Sequence, residues 1–193
     1  MLNKTEFKTL RKQMEAFDEA REQAIRKSRD LLRNSKSAIY STHRKDYKST
    51  EECLKKARKT ITEIENLIKK EPALTQVGAI TDALEEYTEA ECYYSFVKEN
   101  KIPTIKELKV TPEVYIAGLS DMTGELVRKA INAAINGDYK TSIKIKEFVE
   151  ELYSELMLFE FKGQLRKKFD SIKYGLEKVE ELVLQIKMKK LNR

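Results

Sequence analysis

Apolar positions along this chain recur every three to four residues and show no stretch of one-by-one alternation long enough to read as a strand. The period predicts helices over residues 4–45, 50–70, 73–99, 112–136, 140–160 and 164–190. Between them lie the breaks: the HRKDYKST stretch, Glu71-Pro72, Asn100 to Pro103, Thr111-Pro112, Asn136-Gly137-Asp138 and the region around Gly163. Thr111, Pro112 and Glu113 read as an N-cap, a proline at the first helical position and an acid at the positive dipole end. The run VKENKIPTIKELKV is expected to be an irregular connection. There is no internal repeat and no low-complexity tail. The expectation is one all-α domain over residues 1–193, a single-domain bundle of about six or seven helices with short connections.

The faces of these helices differ. In the first, Phe7, Leu10, Met14, Phe17, Ala24, Leu31, Leu32 and Ile39 share a broad apolar arc. Beside it, Arg26, Arg29, Arg33, Lys36, Tyr40 and Arg44 fall in a stripe about 80° wide, with His43 next to it. A cationic stripe carrying an aromatic ring and a histidine suits a phosphate backbone and a stacked base. A solvated face, with Glu22 and Asp30 nearby, accounts for the same pattern.

The helix over 73–99 is apolar around well over half its circumference, yet Glu86 lies inside that arc and Glu89 at its edge. Glu91 also falls on the apolar side, and Glu85 is expected to point elsewhere, toward Cys92. The helix over 112–136 is apolar nearly all round, with one narrow polar stripe of Asp121, Glu125, Arg128 and Asn132. Gly118 and Gly124 each cost about 1 kcal/mol relative to Ala inside a helix, so each suggests a close neighbour, backbone or ligand. The acids are spaced i,i+3 and i,i+4, so each pair shares a face. Should the two helices pack antiparallel, the four carboxylates converge and repel unless a cation intervenes. Oxygen donors alone suit Mg²⁺, or Mn²⁺, better than Zn²⁺. A carboxylate-held Mg²⁺ polarises a phosphoryl oxygen and activates water, which is nuclease chemistry. The plain alternative is that Glu86 and Glu89 are surface acids and that Asp121 and Glu125 only pair with Arg128 and Lys129.

Composition narrows the classes. Charged residues make up 36% and hydrophobic residues 40%, with Gly and Pro scarce, a profile of long helices. No apolar run is long enough for a transmembrane helix, and the charged N-terminus is not a secretory signal. Cys53 and Cys92 form no CxxC pattern, so a reduced cytoplasm is expected. The net charge of +6 is compatible with nucleic acid, but its signs are interspersed. A Walker loop, GxSxG and HExxH are absent, and His43 is the only histidine, which excludes a multi-histidine metal site.

Several long stretches resemble the translin family and its TRAX (translin-associated factor X) branch. REQAIRKSRDLLRNSKSAIYSTHR is similar to the TRAX first helix, and LEEYTEAECYYSFVKENKIPT to its QEYVEA segment. VTPEVYIAGLSDMTGELVRKAINAAINGDY is similar to the family's D-Y-L-x-G-x-x-D-L-T-G-E-L run ending in GDY. LRKKFDSIKYGLEKVEELVLQI looks more like translin than TRAX. The resemblance implies a translin-like α-α superhelix assembling into a hollow oligomer, an octamer in the family, with nucleic acid inside. It implies a TRAX-type Mg-dependent endoribonuclease in which Glu86, Glu89, Asp121 and Glu125 are both metal ligands and catalytic groups. Arg26, Arg29, Arg33, Lys36, Tyr40, His43, Arg44 and Arg128 are expected to contact nucleic acid. The expected partners are single-stranded RNA, single-stranded DNA as a further ligand, and other copies of the chain. A non-catalytic translin-like binder is the alternative, and a helical scaffold a third.

Overall fold

The computed structural model describes residues 2–191. They form α1 (Lys4–His43), α2 (Tyr47–Lys70), α3 (Gly78–Glu99), α4 (Ile105–Leu108), α5 (Pro112–Ile135), α6 (Tyr139–Leu156) and α7 (Gly163–Leu191), plus a 3-10 turn over Pro72–Gln76. No strand occurs among the described residues.

The helix starts are written in short side chains. Asn3, Asp46, Thr104, Thr111 and Asp138 each accept a hydrogen bond from a backbone N–H of the following turn, which satisfies a donor the helix itself leaves open and is worth about 1 kcal/mol per cap. Asp46 starts α2 at Tyr47, three residues before the expected boundary. Three other boundaries depart from the periodicity. The helix predicted from residue 73 begins at Gly78, because Pro72 opens a 3-10 turn that buries Leu74 and Val77 is extended. The segment expected to be irregular contains the single-turn α4, closed by a reciprocal Thr104–Glu107 capping box. Helix α6 stops at Leu156, four residues short of the predicted end. Phe161 then stacks on Phe159 and tilts against Phe169, so aromatic packing replaces the last helical turn. At the α5–α6 turn Gly137 has φ +78°, a conformation that an L side chain resists.

Helices α3 and α5 sit at the centre. Helix α1 packs against α2 and α3, α3 against α5, and α5 against both α6 and α7. Neighbours on several sides explain why both central helices are apolar around most of their circumference. One contiguous core results, with Leu31, Leu54, Tyr93, Met122, Leu126, Ile172 and Val179 fully enclosed. Helices α3 and α5 touch closely at Gly118, where a Cβ would lie 2.6 Å from the Thr88 Cβ and 2.8 Å from the Glu85 carbonyl oxygen. Gly124 differs from its expectation, since a Cβ there meets nothing within 4 Å.

Helix α1 outruns the bundle. Its 40 residues correspond to a rod about 60 Å long, and residues 2–16 are exposed throughout. The N-terminal part of its apolar arc, Phe7, Leu10 and Met14, is therefore uncovered. Among the described residues, no helix is long and apolar enough to cross a membrane.

Candidate functional site

Close packing at Gly118 brings the two acidic pairs together. Glu86 and Glu89 come from α3 and Asp121 and Glu125 from α5. Glu86 and Asp121 line an open cavity of about 880 Å³, to which α1 contributes Leu32 and α7 Lys168. Glu89 is buried, with 9% of its surface exposed. Its carboxyl makes no hydrogen bond or ion pair among the described residues. Burial, followed by the charges of Glu86, Asp121 and Glu125, pushes it up to about 8. Burial also raises Glu86, with Asp121 and Glu125 adding to the shift and Lys36 and Lys168 opposing it.

Glu86 has Lys36 Nζ at 3.9 Å, and the other two acids have closer partners. Lys168 donates a hydrogen bond to Asp121 and lies 3.0 Å from Glu85. Burial alone would lower the Lys168 ammonium, but its bonds to Asp121 and Glu85 outweigh that and raise it. Glu85 thus faces this cleft and not the Cys92 side, a correction to the helical-wheel reading, since its long side chain reaches a cation on α7. Glu125 forms a hydrogen bond with His43 Nε2 and lies 3.6 Å from Arg128. The His43 bond, then the charges of His43 and Arg128, hold the Glu125 carboxyl below its usual range despite burial. Lys129 pairs with neither Asp121 nor Glu125. Glu91, the other acid on the apolar side of α3, is neutralised separately by a two-pronged bond from Arg58, at 2.7 and 2.8 Å.

His43 is drawn into this cluster. Its Nδ1 is 3.0 Å from the Tyr93 hydroxyl and the two rings lie 4.8 Å apart. Both ring nitrogens are therefore engaged, and the side chain is only 10% exposed. The remaining stripe residues Arg26, Arg29, Arg33, Lys36, Tyr40 and Arg44 are exposed on α1. The stripe ends against the acids: Lys36 Nζ is 3.9 Å from Glu86, and the Arg128 guanidinium lies over the Tyr40 ring at 5.9 Å. Arg33 is bonded to Asp30.

By donor type, the four carboxylates are of the kind that suits a hard divalent cation. By position, no three Asp, Glu, His or Cys side chains among the described residues surround a common ion position. Lys168 and His43 supply positive or donor groups to two of the acids instead. Sequence reasoning missed Lys168, Glu85 and Tyr93 as members of the cluster. Lys168 carries no signal in a lysine-rich chain, and His43, expected to contact nucleic acid beside the cationic stripe, instead has both ring nitrogens engaged by Glu125 and Tyr93.

Comparison with known proteins agrees with this architecture. The Translin family model matches residues 19–190. Translin-associated protein X of Pongo abelii is 27% identical over an alignment covering 95% of this chain and 78% of that protein. An uncharacterized protein of Methanocaldococcus jannaschii is 32% identical, with 83% of this chain and 73% of that one covered. Among solved structures, the AfC3PO–duplex RNA complex superposes with a TM-score of 0.88 at 27% identity, covering 97% of this chain and 100% of that chain.

Proposed function

The chain belongs to the Translin family, and on that premise we propose that it binds RNA and cuts it as a divalent-metal-dependent endoribonuclease. One observation carries the proposal: a buried, unpartnered Glu89 among three further carboxylates, at the end of an exposed cationic stripe. The similarity to a C3PO solved with duplex RNA supports RNA as the ligand. Glu86, Glu89, Asp121 and Glu125 would hold Mg²⁺, or Mn²⁺ in its place, which when bound neutralises charge on a phosphoryl oxygen and activates water.

The chain's own groups have separable tasks. Arg26, Arg29, Arg33, Lys36 and Arg44 attract the phosphate backbone, and the exposed Tyr40 ring offers a stacking face backed by Arg128. His43 orients Glu125, and Tyr93 fixes the imidazole from its other nitrogen. Lys168 holds Asp121 and Glu85.

The test is a time course on labelled RNA, single-stranded and duplex in parallel, with Mg²⁺ or with EDTA. Shortening with Mg²⁺ and intact RNA with EDTA, while filter retention persists in both, is the expected result. Equal retention with no shortening in either buffer leaves a non-catalytic binder of single-stranded RNA or DNA. That second reading is favoured by the pairing of Asp121 and Glu125 with Lys168 and His43.

Self-assembly, to an octamer on the family pattern, is part of the proposal. The uncovered Phe7, Leu10 and Met14 stripe is one apolar surface available for it. Replacing Phe7 and Met14 together by Glu is expected to lower the mass seen by light scattering without loss of helical signal, because residues 2–16 lie outside the core. An unchanged mass removes α1's projecting end from the assembly. A reduced, cytoplasmic setting suits the free thiols of Cys53 and Cys92.

A further inference from the structure

A second cavity, about 720 Å³, opens at the end of the bundle where the α1–α2 and α5–α6 turns meet. Four lysines line it: Lys45 from the first turn, Lys129 from α5, and Lys140 and Lys144 from α6. None of them forms a salt bridge among the described residues. Asp138 is the one acid in the lining, and its carboxylate already accepts from the Thr141 N–H and hydroxyl to cap α6. Four positive side chains against one committed acid leave a cationic hollow.

Lys129 is the informative member. It is half-buried, and its ammonium has no hydrogen-bond partner among the described residues. Burial and the neighbouring Lys45 depress its pKa, with only Asp138 acting the other way. A chain gains nothing in stability by holding two such cations side by side. The arrangement is instead ready for an anion, with Asn132 and Asn136 as neutral polar neighbours in the same wall. Its position matters too. His43 lines this cavity while its Nε2 binds Glu125, so a single imidazole stands between the lysine pocket and the acidic cluster.

We propose that this pocket is a phosphate subsite, in which Lys45, Lys129, Lys140 and Lys144 take a phosphate of the RNA strand on the far side of His43 from the carboxylates. It rests on the RNA-cleaving reading for the identity of the strand. The chemistry it recognises is phosphate, whether an internal diester or a terminal monoester.

The experiment compares the parent protein with Lys45→Gln/Lys129→Gln, and separately with the exposed Lys144→Gln in case the double variant folds poorly. Each is titrated at several salt concentrations with an RNA bearing 5′-phosphate, with the same RNA bearing 5′-hydroxyl, and with pyrophosphate alone by calorimetry. All titrations contain EDTA to keep cleavage out of the measurement. The double variant is expected to lose about tenfold in RNA affinity, and the slope of log affinity against log salt to shrink by about 1.4, or about 0.7 per lost contact to a single strand. Lys144→Gln should lose a smaller factor in the same direction. A loss seen equally with both RNAs assigns the pocket an internal phosphate, and one confined to the 5′-phosphorylated RNA assigns it the strand end. Unchanged affinity and slope in both variants overturn the subsite and leave the acidic site untouched. Where the parent retains no RNA at all, the RNA reading fails, and the pyrophosphate titration decides the pocket. Heat on mixing with the parent and none with the variants upholds an anion site, and equal heats with parent and variants overturn it.

Discussion

Glu89→Gln is expected to make the protein more stable at pH 8.5 without divalent metal, and at the same time to abolish RNA cleavage. Both effects have one cause. Glu89 as a residue is 9% exposed, its carboxyl has no hydrogen bond among the described residues, and burial plus three neighbouring acids raise it from its ordinary 4.5 to about 8. The folded chain therefore keeps a proton between those values that the unfolded chain releases. Stability from this group is complete below pH 4.5, declines as pH rises, and is gone once the folded carboxyl ionises above about 8. The glutamine carries no such penalty. In EDTA at pH 8.5 the variant should exceed the parent by about 5 kcal/mol in urea unfolding, and the two should converge near pH 4. Mg²⁺ should raise the parent's melting temperature and leave the variant's nearly unmoved, because ligand linkage acts only where the ligand binds. Cleavage should fall on the order of 100-fold or more, as for a lost ligand or its supporting group, with RNA retention preserved. Undiminished cleavage by the variant, or parent and variant stabilities that track each other from pH 4 to 8.5, would remove Glu89 from the site.

Gly118→Ala should be the most damaging single methyl in the central pair of helices. The added carbon would lie 2.6 and 2.7 Å from two Thr88 side-chain carbons and 2.8 Å from the Glu85 carbonyl oxygen. Backbone cannot swing aside as a side chain does, so α5 must move off α3. Alanine gains about 1 kcal/mol in helix propensity, while overpacking costs about 3 kcal/mol, so a net loss of about 2 kcal/mol is expected in urea unfolding. Cleavage should fall too, because the same displacement separates Asp121 and Glu125 from Glu86 and Glu89. Gly124→Ala is the control. Its new carbon meets nothing within 4 Å, so propensity alone should make it neutral or more stable by up to about 1 kcal/mol. Equal stability of the two variants would refute the close crossing.

Much of this fold is legible in the chain because helices are made by local rules. Periodicity, Thr111-Pro112 and Asn136-Gly137 place α5 to within a residue, since cap, proline and turn act within a few positions of one another. The failures are equally local in origin. Asp46 caps α2 from within a stretch whose charges read as a break, and the extended Val77 interrupts a pattern that periodicity reads as continuous.

The candidate site divides along the same line. That Glu86, Glu89, Asp121 and Glu125 stand among apolar neighbours follows from a helical wheel, because angle around one helix depends only on sequence spacing. Which cation meets which acid does not. His43 is 82 residues from Glu125 and Lys168 is 47 residues from Asp121. Glu85, Tyr93 and the four lysines of the second cavity joined their sites only when separate helices packed. The sequence by itself determined an all-helical chain, its principal breaks and two acidic pairs at helical spacing. Only tertiary structure decided that these pairs lie close enough to feel one another's charge, that a histidine and a lysine hold two of the acids, and that Glu89 has no hydrogen-bond partner among the described residues. The physical reason is range: periodicity and capping operate within a turn or two of helix, whereas a charge's partners and its exposure to water are set by whichever distant segments packing brings beside it.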